Sequence, residues 1–271
     1  MNDRNLKYDT LLTEEDTMIP ARRQEQIKAL INENSCVSIS ELTRRFQVSK
    51  ATIRRDLNEI CSTGEYIRTH GGAMAYTGNT MYDKPHEDKM MINYEQKMRI
   101  GKAASAYVQN GDTIIVDSGT TGYAFAQCLE EKKQITVITN DLYIALNTVL
   151  DPSSSMIILP GQRLDLTRVI IGKQAEDLLK SIKVAKMFMT ADAVCLETGI
   201  ANVNMLESGI KSAMVKAATE VILMADSSKF EKKSLINILP DFSRIDRIIT
   251  DDALPVSLQK KYRKKTELVI V

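Results

Sequence analysis

Two sets of residues in this chain have the types and spacing to do chemistry. The first is Asp117-Ser118-Gly119-Thr120-Thr121-Gly122, small and hydroxyl-bearing, placed straight after the apolar run Thr113-Ile114-Ile115-Val116. A strand passing directly into a helix there would gather the free N–H groups of the helix start and the Ser and Thr hydroxyls around one point. Such a point suits an anion, best of all a phosphate. Other apolar runs end in polar residues too. Thr139-Asn140-Asp141 offers an amide and a carboxylate to sugar hydroxyls, Pro160-Gly161 follows a third run, and Asp226-Ser227-Ser228-Lys229-Phe230 sets Lys229 where it can pair with an anion. A polyol phosphate, with one anionic end and several hydroxyls, fits this set. Each piece alone has a plainer reading, with Ser118, Thr120 and Thr121 as helix caps and Lys229 as a surface charge. Several polar strand ends in one domain carry the expectation together.

The second set is Lys50, Thr52, Arg54 and Arg55, at the start of a helix that turns Ile53, Leu57 and Ile60 to its buried side. Ser49 is its N-cap candidate, and Ser38 with Glu41 makes a capping box for a shorter helix just before it. Two helices across a tight turn present the second to the major groove, where Lys50, Thr52, Arg54 and Arg55 would meet base edges or phosphates. An amphipathic helix over Arg22–Ile31 precedes the pair. Tyr66-Ile67-Arg68-Thr69-His70-Gly71-Gly72-Ala73 after it reads as a strand running into a hairpin turn. Three helices and a wing make a winged helix-turn-helix, with Arg68 and His70 facing the DNA backbone or minor groove. Arg22, Arg44 and Arg45 read equally well as phosphate contacts or as solvated charges. Double-stranded DNA is the expected partner.

These elements need a frame. The chain has 271 residues, 44% of them hydrophobic, enough for two domains with real cores. A net charge of +1 excludes a generally basic nucleic-acid coat, so positive charge must act locally. Cys36, Cys61, Cys128 and Cys195 lack metal-site spacing, and His70 and His86 stand apart, so neither a metal nor a cofactor is expected. No signal peptide or membrane-length apolar run is present, which predicts a cytoplasmic protein without membrane association. Residues 1–20 read as a loosely packed extension closed by Pro20, 21–75 as the DNA-binding domain, 76–93 as a linker and 94–271 as a second domain.

In that second domain strands and helices alternate. Strands are expected at 113–117, 135–139, 156–159, 187–189, 220–225 and 247–250. Helices are expected at 95–108, 124–129, 142–150, 173–182 and 210–218. The alternation predicts an α/β fold with a mostly parallel sheet covered on both faces, and ligands in such sheets sit beyond the carboxyl ends of the strands.

With these residues assembled, the chain from Arg22 to Asp252 resembles the DeoR family of bacterial transcription regulators. The matching pieces are Arg23-x-x-x-Ile27, Val48-Ser49-x-x-Thr52-Ile53-Arg54-Arg55-Asp56-Leu57, Arg68-Thr69-His70-Gly71-Gly72-Ala73, Lys97-x-x-Ile100-Gly101, Gly111-Asp112-Thr113-Ile114, Asp117-Ser118-Gly119-Thr120-Thr121, Thr139-Asn140 and Asp226-Ser227-Ser228-Lys229-Phe230. The resemblance implies a repressor of a carbohydrate operon, with a sensor domain similar in fold to ribose-5-phosphate isomerase and responsive to a phosphorylated sugar or related metabolite. It also implies effector contacts from Asp192, Glu207 and Lys211. The chain departs from the family at Pro160 and at Thr190-Ala191-Asp192-Ala193, where bulkier residues replace glycines that would let a ligand approach the backbone. A homodimer or homotetramer is expected, to span paired half-sites roughly 34 Å apart. A rival reading is an isomerase-like enzyme fused to a DNA-binding module, with Asp141, Asp192 or Glu207 as its base.

Overall fold

The computed structural model describes residues 19–34, 36–62, 66–69, 71–75, 86–165 and 167–271. The chain divides into two compact units, 1–78 and 79–271. The extension over 1–18, most of the linker at 76–85 and His70 of the wing lie outside the described residues.

The first unit consists of α1 (Pro20–Asn34), β1 (Cys36–Ser38), α2 (Ile39–Phe46), α3 (Lys50–Ser62), β2 (Tyr66–Thr69) and β3 (Gly72–Ala75). Pro20, read as the end of the extension, instead opens α1, where its missing N–H costs nothing. Ile27, Leu30 and Ile31 of α1 pack with Leu42, Ile53, Leu57 and Ile60 into one core. Both expected caps are made: Ser38 Oγ accepts from Glu41 N and Ser49 Oγ from Thr52 N, each at 3.1 Å. The wing is a three-stranded antiparallel sheet in the order β1-β3-β2. Strand β1 went unread in the sequence because it is only three residues long. Gly72 is required by β1, since a Cβ there would collide with the Val37 carbonyl.

The second unit opens with α4 (His86–Met91), inside the segment read as linker, and α5 (Tyr94–Ser105). Then follow β4 (Thr113–Val116), α6 (Thr120–Ala126), β5 (Thr136–Thr139), α7 (Leu142–Asn147), β6 (Ser155–Ile158), β7 (Gln162–Leu164), β8 (Val169–Ile171) and α8 (Lys173–Ser181). The remainder is β9 (Val184–Thr190), β10 (Ala193–Cys195), β11 (Gly199–Asn202), α9 (Ser208–Ala217), β12 (Ala218–Met224), β13 (Ile236–Leu239), β14 (Arg247–Thr250), α10 (Val256–Tyr262) and β15 (Glu267–Ile270). Helix α7 ends three residues earlier than expected, because β-branched Thr148 and Val149 lead into Asp151-Pro152, which favours extended backbone. Helix α6 begins at Thr120, four residues before the expected 124, and the 3-10 turn Gln127–Leu129 completes the expected span.

Seven strands form one wholly parallel sheet in the order β15-β14-β12-β9-β4-β5-β6. Neighbouring strand residues point to opposite faces, so Ile115, Met187, Met189, Val221 and Leu223 join one core while Ile114, Val116, Phe188, Ile222 and Met224 join the other. Phe125 of α6 stacks on Phe188 at 4.0 Å between centroids. A small antiparallel sheet, β10-β11-β13, and the hairpin β7-β8 complete the unit. The chain winds outward from β4 through β5 to β6, then returns to the other side of β4 and winds through β9, β12 and β14 to β15. The winding reverses between β4 and β9, and in sheets of this kind the crevice that takes a ligand lies at such a point, beyond the carboxyl ends of the strands.

Candidate functional site

In the first unit, Lys50, Ala51, Arg54, Arg55 and Asn58 of α3 are exposed in one stripe, opposite buried Ile53, Leu57 and Ile60. Ser49 is exposed beside them, and Thr52 is half-buried with its Oγ1 2.9 Å from Ser49 Oγ. Arg68 of β2 has protein partners: its Nε donates to Asn58 Oδ1 at 3.2 Å and its Nη1 to the Gly72 carbonyl. It therefore braces the wing against α3. Arg44 and Arg45 are exposed in the last turn of α2, where cations complement the helix dipole.

The second unit gathers its charges at the reversal point. Asp117, just past β4, is fully buried, and its Oδ2 accepts from Thr190 N at 2.9 Å, Thr190 Oγ1 at 3.2 Å and Lys211 Nζ at 2.5 Å. Lys211, from α9, is buried as well. Burial disfavours its charge, yet Asp117 and then Glu207 raise it above the ordinary lysine value. Glu207 sits over the loop, with Ser118 Oγ 3.5 Å from its Oε2 and Asn204 Nδ2 donating to its Oε1 at 3.3 Å. Asp192, past β9, accepts from Val203 N at 3.1 Å and faces Lys89 Nζ at 3.6 Å. Burial would push the Asp192 carboxyl up, but Lys89, Lys229 and the Val203 N–H together hold it down at about 2. Lys229 thus lies near enough to Asp192 to act on its charge.

Three expected effector residues are turned to other work. Asn140 is fully buried, with its Nδ2 donating to the Ile170 carbonyl at 3.1 Å and its own carbonyl accepting from Ile170 N at 2.7 Å. These bonds pin β8, while the side-chain Oδ1 is buried with no hydrogen-bond partner among the described residues. Asp141 caps α7 through Tyr143 N at 2.7 Å and Ile144 N at 3.1 Å, and its other oxygen takes the Gly119 N–H at 2.9 Å. That bond also removes the Gly119 N–H from the set free to meet an anion, while Ser118 N is held by Asp117 Oδ1 at 3.0 Å. The first-turn donors left to the loop are those of Thr120, Thr121 and Gly122. Gly161 lies against the Ile171 carbonyl so closely that no Cβ would fit, which explains the glycine by strand approach.

Thr190, one of the bulky replacements, is a clamp. Its hydroxyl meets the Ser118 carbonyl at 2.6 Å as well as Asp117, so it fixes the loop. Ala193 is buried in the small sheet.

The residue the site reading missed is Lys97 of α5. It is 4% exposed, its Nζ donates to the Lys89 carbonyl at 2.6 Å, and burial draws its ammonium down to about 8. Asp226 opposes that shift, while Lys229 and Lys89 add to it. Asp226 is itself held by Asn93 Nδ2 at 2.8 Å and Ser228 N at 3.1 Å. The signal was present in the sequence: a lysine three residues before Ile100-Gly101, on the buried side of an amphipathic helix. Gly101 lets that helix lie against the Ala124 and Phe125 backbone. Among the described residues no cluster of three His, Cys, Asp or Glu could hold a metal ion, and no helix is long and apolar enough to cross a membrane.

Two family descriptions match the chain: a DeoR-like helix-turn-helix domain over residues 23–78 and a DeoR C terminal sensor domain over 92–252. The HTH-type transcriptional regulator YgbI of Escherichia coli (strain K12) is 34% identical, over 94% of this chain and 98% of its own length. The glycerol-3-phosphate regulon repressor of the same strain is 30% identical, over 90% and 95%. Among solved structures, ribose 5-phosphate isomerase A from Methanocaldococcus jannaschii overlaps 52% of this chain and 56% of its own, at 17% identity and a TM-score of 0.36.

Proposed function

Because the chain belongs to the DeoR family, whose members are transcriptional regulators and not enzymes, we propose that it represses a carbohydrate operon and that a phosphorylated sugar or polyol at the crevice sets its hold on the operator. The observation that carries this reading is the nearness of Lys97 and Lys229 to each other and of Lys229 to Asp192, with Glu207 against Ser118 of the loop. Cations beside hydroxyls and N–H donors receive the phosphate, and carboxylates receive hydroxyls. Isomerase chemistry is poorly served. Asp141 is committed to three N–H donors, and Asp192 held near 2 is a feeble base. The glycerol-3-phosphate relative supports a polyol phosphate as the ligand class.

A thermal-shift screen of sugar and polyol phosphates tests the site, with Lys97→Met as the comparison. Wild type is expected to be stabilised by at least one such ligand. The variant should lose about 10- to 100-fold in affinity, the worth of a charge-assisted hydrogen bond. A hit that stabilises both proteins equally would place the phosphate elsewhere.

The same lysine sets a pH dependence. In the free protein it titrates near 8, and a neighbouring anion must raise that value, so binding takes up a proton in between. Phosphate monoesters are already dianionic above about pH 7. Calorimetry should therefore find a constant Kd from pH 7 to about 8 and then a rise approaching tenfold per unit. A flat profile to pH 9.5 would exclude Lys97 as a ligand.

For DNA, Arg54 and Arg55 with Lys50 supply base and phosphate contacts, and Ser49, Thr52 and His70 further polar ones, while Arg68 acts by holding the wing. Arg54→Ala is expected to weaken operator binding by about 5- to 150-fold, as loss of one bidentate base contact does, while leaving effector binding intact. A gel-shift titration showing undiminished preference for operator over random DNA would remove Arg54 from the reading set. Pairing of sensor units, to present two DNA-binding units, is supported by the uncharged edge strand β6, where Ile157 and Ile158 lie exposed beside Leu146 and Val149.

A further inference from the structure

Helix α4 touches residues at the exits of two strands of the parallel sheet. At one end His86 is buried against the Tyr143 ring, 4.4 Å between centroids, at the exit of β5. At the other end Lys89 reaches Asp192, at the exit of β9, with 3.6 Å between charged atoms. Strand β4 lies between β5 and β9 in the sheet, so α4 passes over the exit of β4, where the Ser118–Thr121 loop begins. At Lys89 the helix is held a second time, because the buried ammonium of Lys97 donates to that residue's main-chain carbonyl at 2.6 Å.

These contacts use the groups that an anion needs. A phosphate at the crevice competes with the Lys89 carbonyl for Lys97, and a hydroxyl of the ligand competes with Lys89 for Asp192. A neutral carbonyl is a weaker partner for the Lys97 ammonium than a dianion with three acceptor oxygens. The ligand and the closed helix cannot both be fully satisfied. We propose that α4 is a strap over the effector site which ligand entry releases, so that occupancy is reported by the first described element of the sensor unit after the wing strands. The proposal rests on the reading of the crevice as an anion site. It adds that Lys89 works against the ligand. The partly exposed Lys89–Asp192 pair is of the kind that supports about a fivefold bias toward the closed strap.

The test uses full-length protein, inorganic phosphate and glycerol 3-phosphate as probes, and the variant Lys89→Ala. Calorimetry reads the site, and amide hydrogen exchange of the peptide covering residues 86–93 reads the strap. Expected are faster exchange in that peptide when either probe binds wild type, and faster exchange in Lys89→Ala without any probe. Affinity for the probe should tighten about fivefold in the variant. Binding to wild type with exchange in 86–93 unchanged or slowed overturns the strap and leaves the anion site standing. Weaker probe binding in Lys89→Ala also overturns it, by making Lys89 a ligand contact. If neither probe binds wild type or variant, the anion-site reading fails and takes ligand release with it.

Discussion

Lys211→Met should destabilise the sensor unit by about 3–5 kcal/mol, the cost of stripping one partner from a buried ion pair. Among the described residues the pair is as enclosed as any, with the side chains of Lys211 and Asp117 1% and 0% exposed and 2.5 Å between charged atoms. Met keeps the length and packing of the lysine stem, so the loss is electrostatic and leaves no large cavity. Asp117 would retain the N–H donors of Ser118 and Thr190 and the Thr190 hydroxyl but no positive charge. Several kcal/mol is a large share of the roughly 5–15 that hold a domain together. The measurement is urea unfolding of wild type, Lys211→Met and the double variant Lys211→Met/Asp117→Asn. The double variant should recover much of the loss, since it buries no net charge. Equal midpoints for wild type and Lys211→Met would show that the pair contributes little. Failure of the double variant to recover would assign the loss to packing.

This pair also shows what sequence could and could not reveal. Asp117 was readable as a polar strand end, because a buried run of β-branched residues stops there. That Lys211, 94 residues later, lies beneath it depends on α9 returning across the sheet, which local pattern does not encode. Asn140 and Asp141 show the opposite failure. A polar residue at a strand end is as readily taken up by the protein's own backbone as by a ligand. Here α7 and β8 lie close enough to claim both side chains. Regular elements with a strong period were legible: the α3 stripe, the five inner strands, and the cap residues Ser38 and Ser49. The antiparallel pieces β1, β7, β8 and β10 were not, because strands of three residues leave too short a run to read. Helix α4 was hidden for a further reason. It lies in a polar stretch, and its worth comes from what it covers.

Asp56→Ala should unfold the DNA-binding unit while the sensor unit stays folded. Asp56 and Arg23 are 2% and 6% exposed and meet through two hydrogen bonds, Nε to Oδ2 at 2.6 Å and Nη2 to Oδ1 at 3.1 Å. The pair ties α1 to α3, and Gln24 of α1 adds bonds to Asp56 at 3.4 Å and to Glu59 at 2.7 Å. Removing the carboxylate leaves a guanidinium in the core without its counter-charge, again at about 3–5 kcal/mol. A unit this small has about that much stability in total, so the same loss that weakens the sensor unit should unfold this one. Circular dichroism and calorimetry on Asp56→Ala should show the DNA-binding transition lost at 37 °C, operator binding gone and phosphate binding unchanged. Arg23→Met/Asp56→Leu, which fills the space without charge, should restore the fold. Arg54→Ala, two residues away on the outer face, should instead keep the transition and lose only operator preference. If Asp56→Ala retains both its transition and its affinity for the operator, the ion pair does not hold the recognition helix in place. The Arg54 side chain would then owe its position to the apolar core alone.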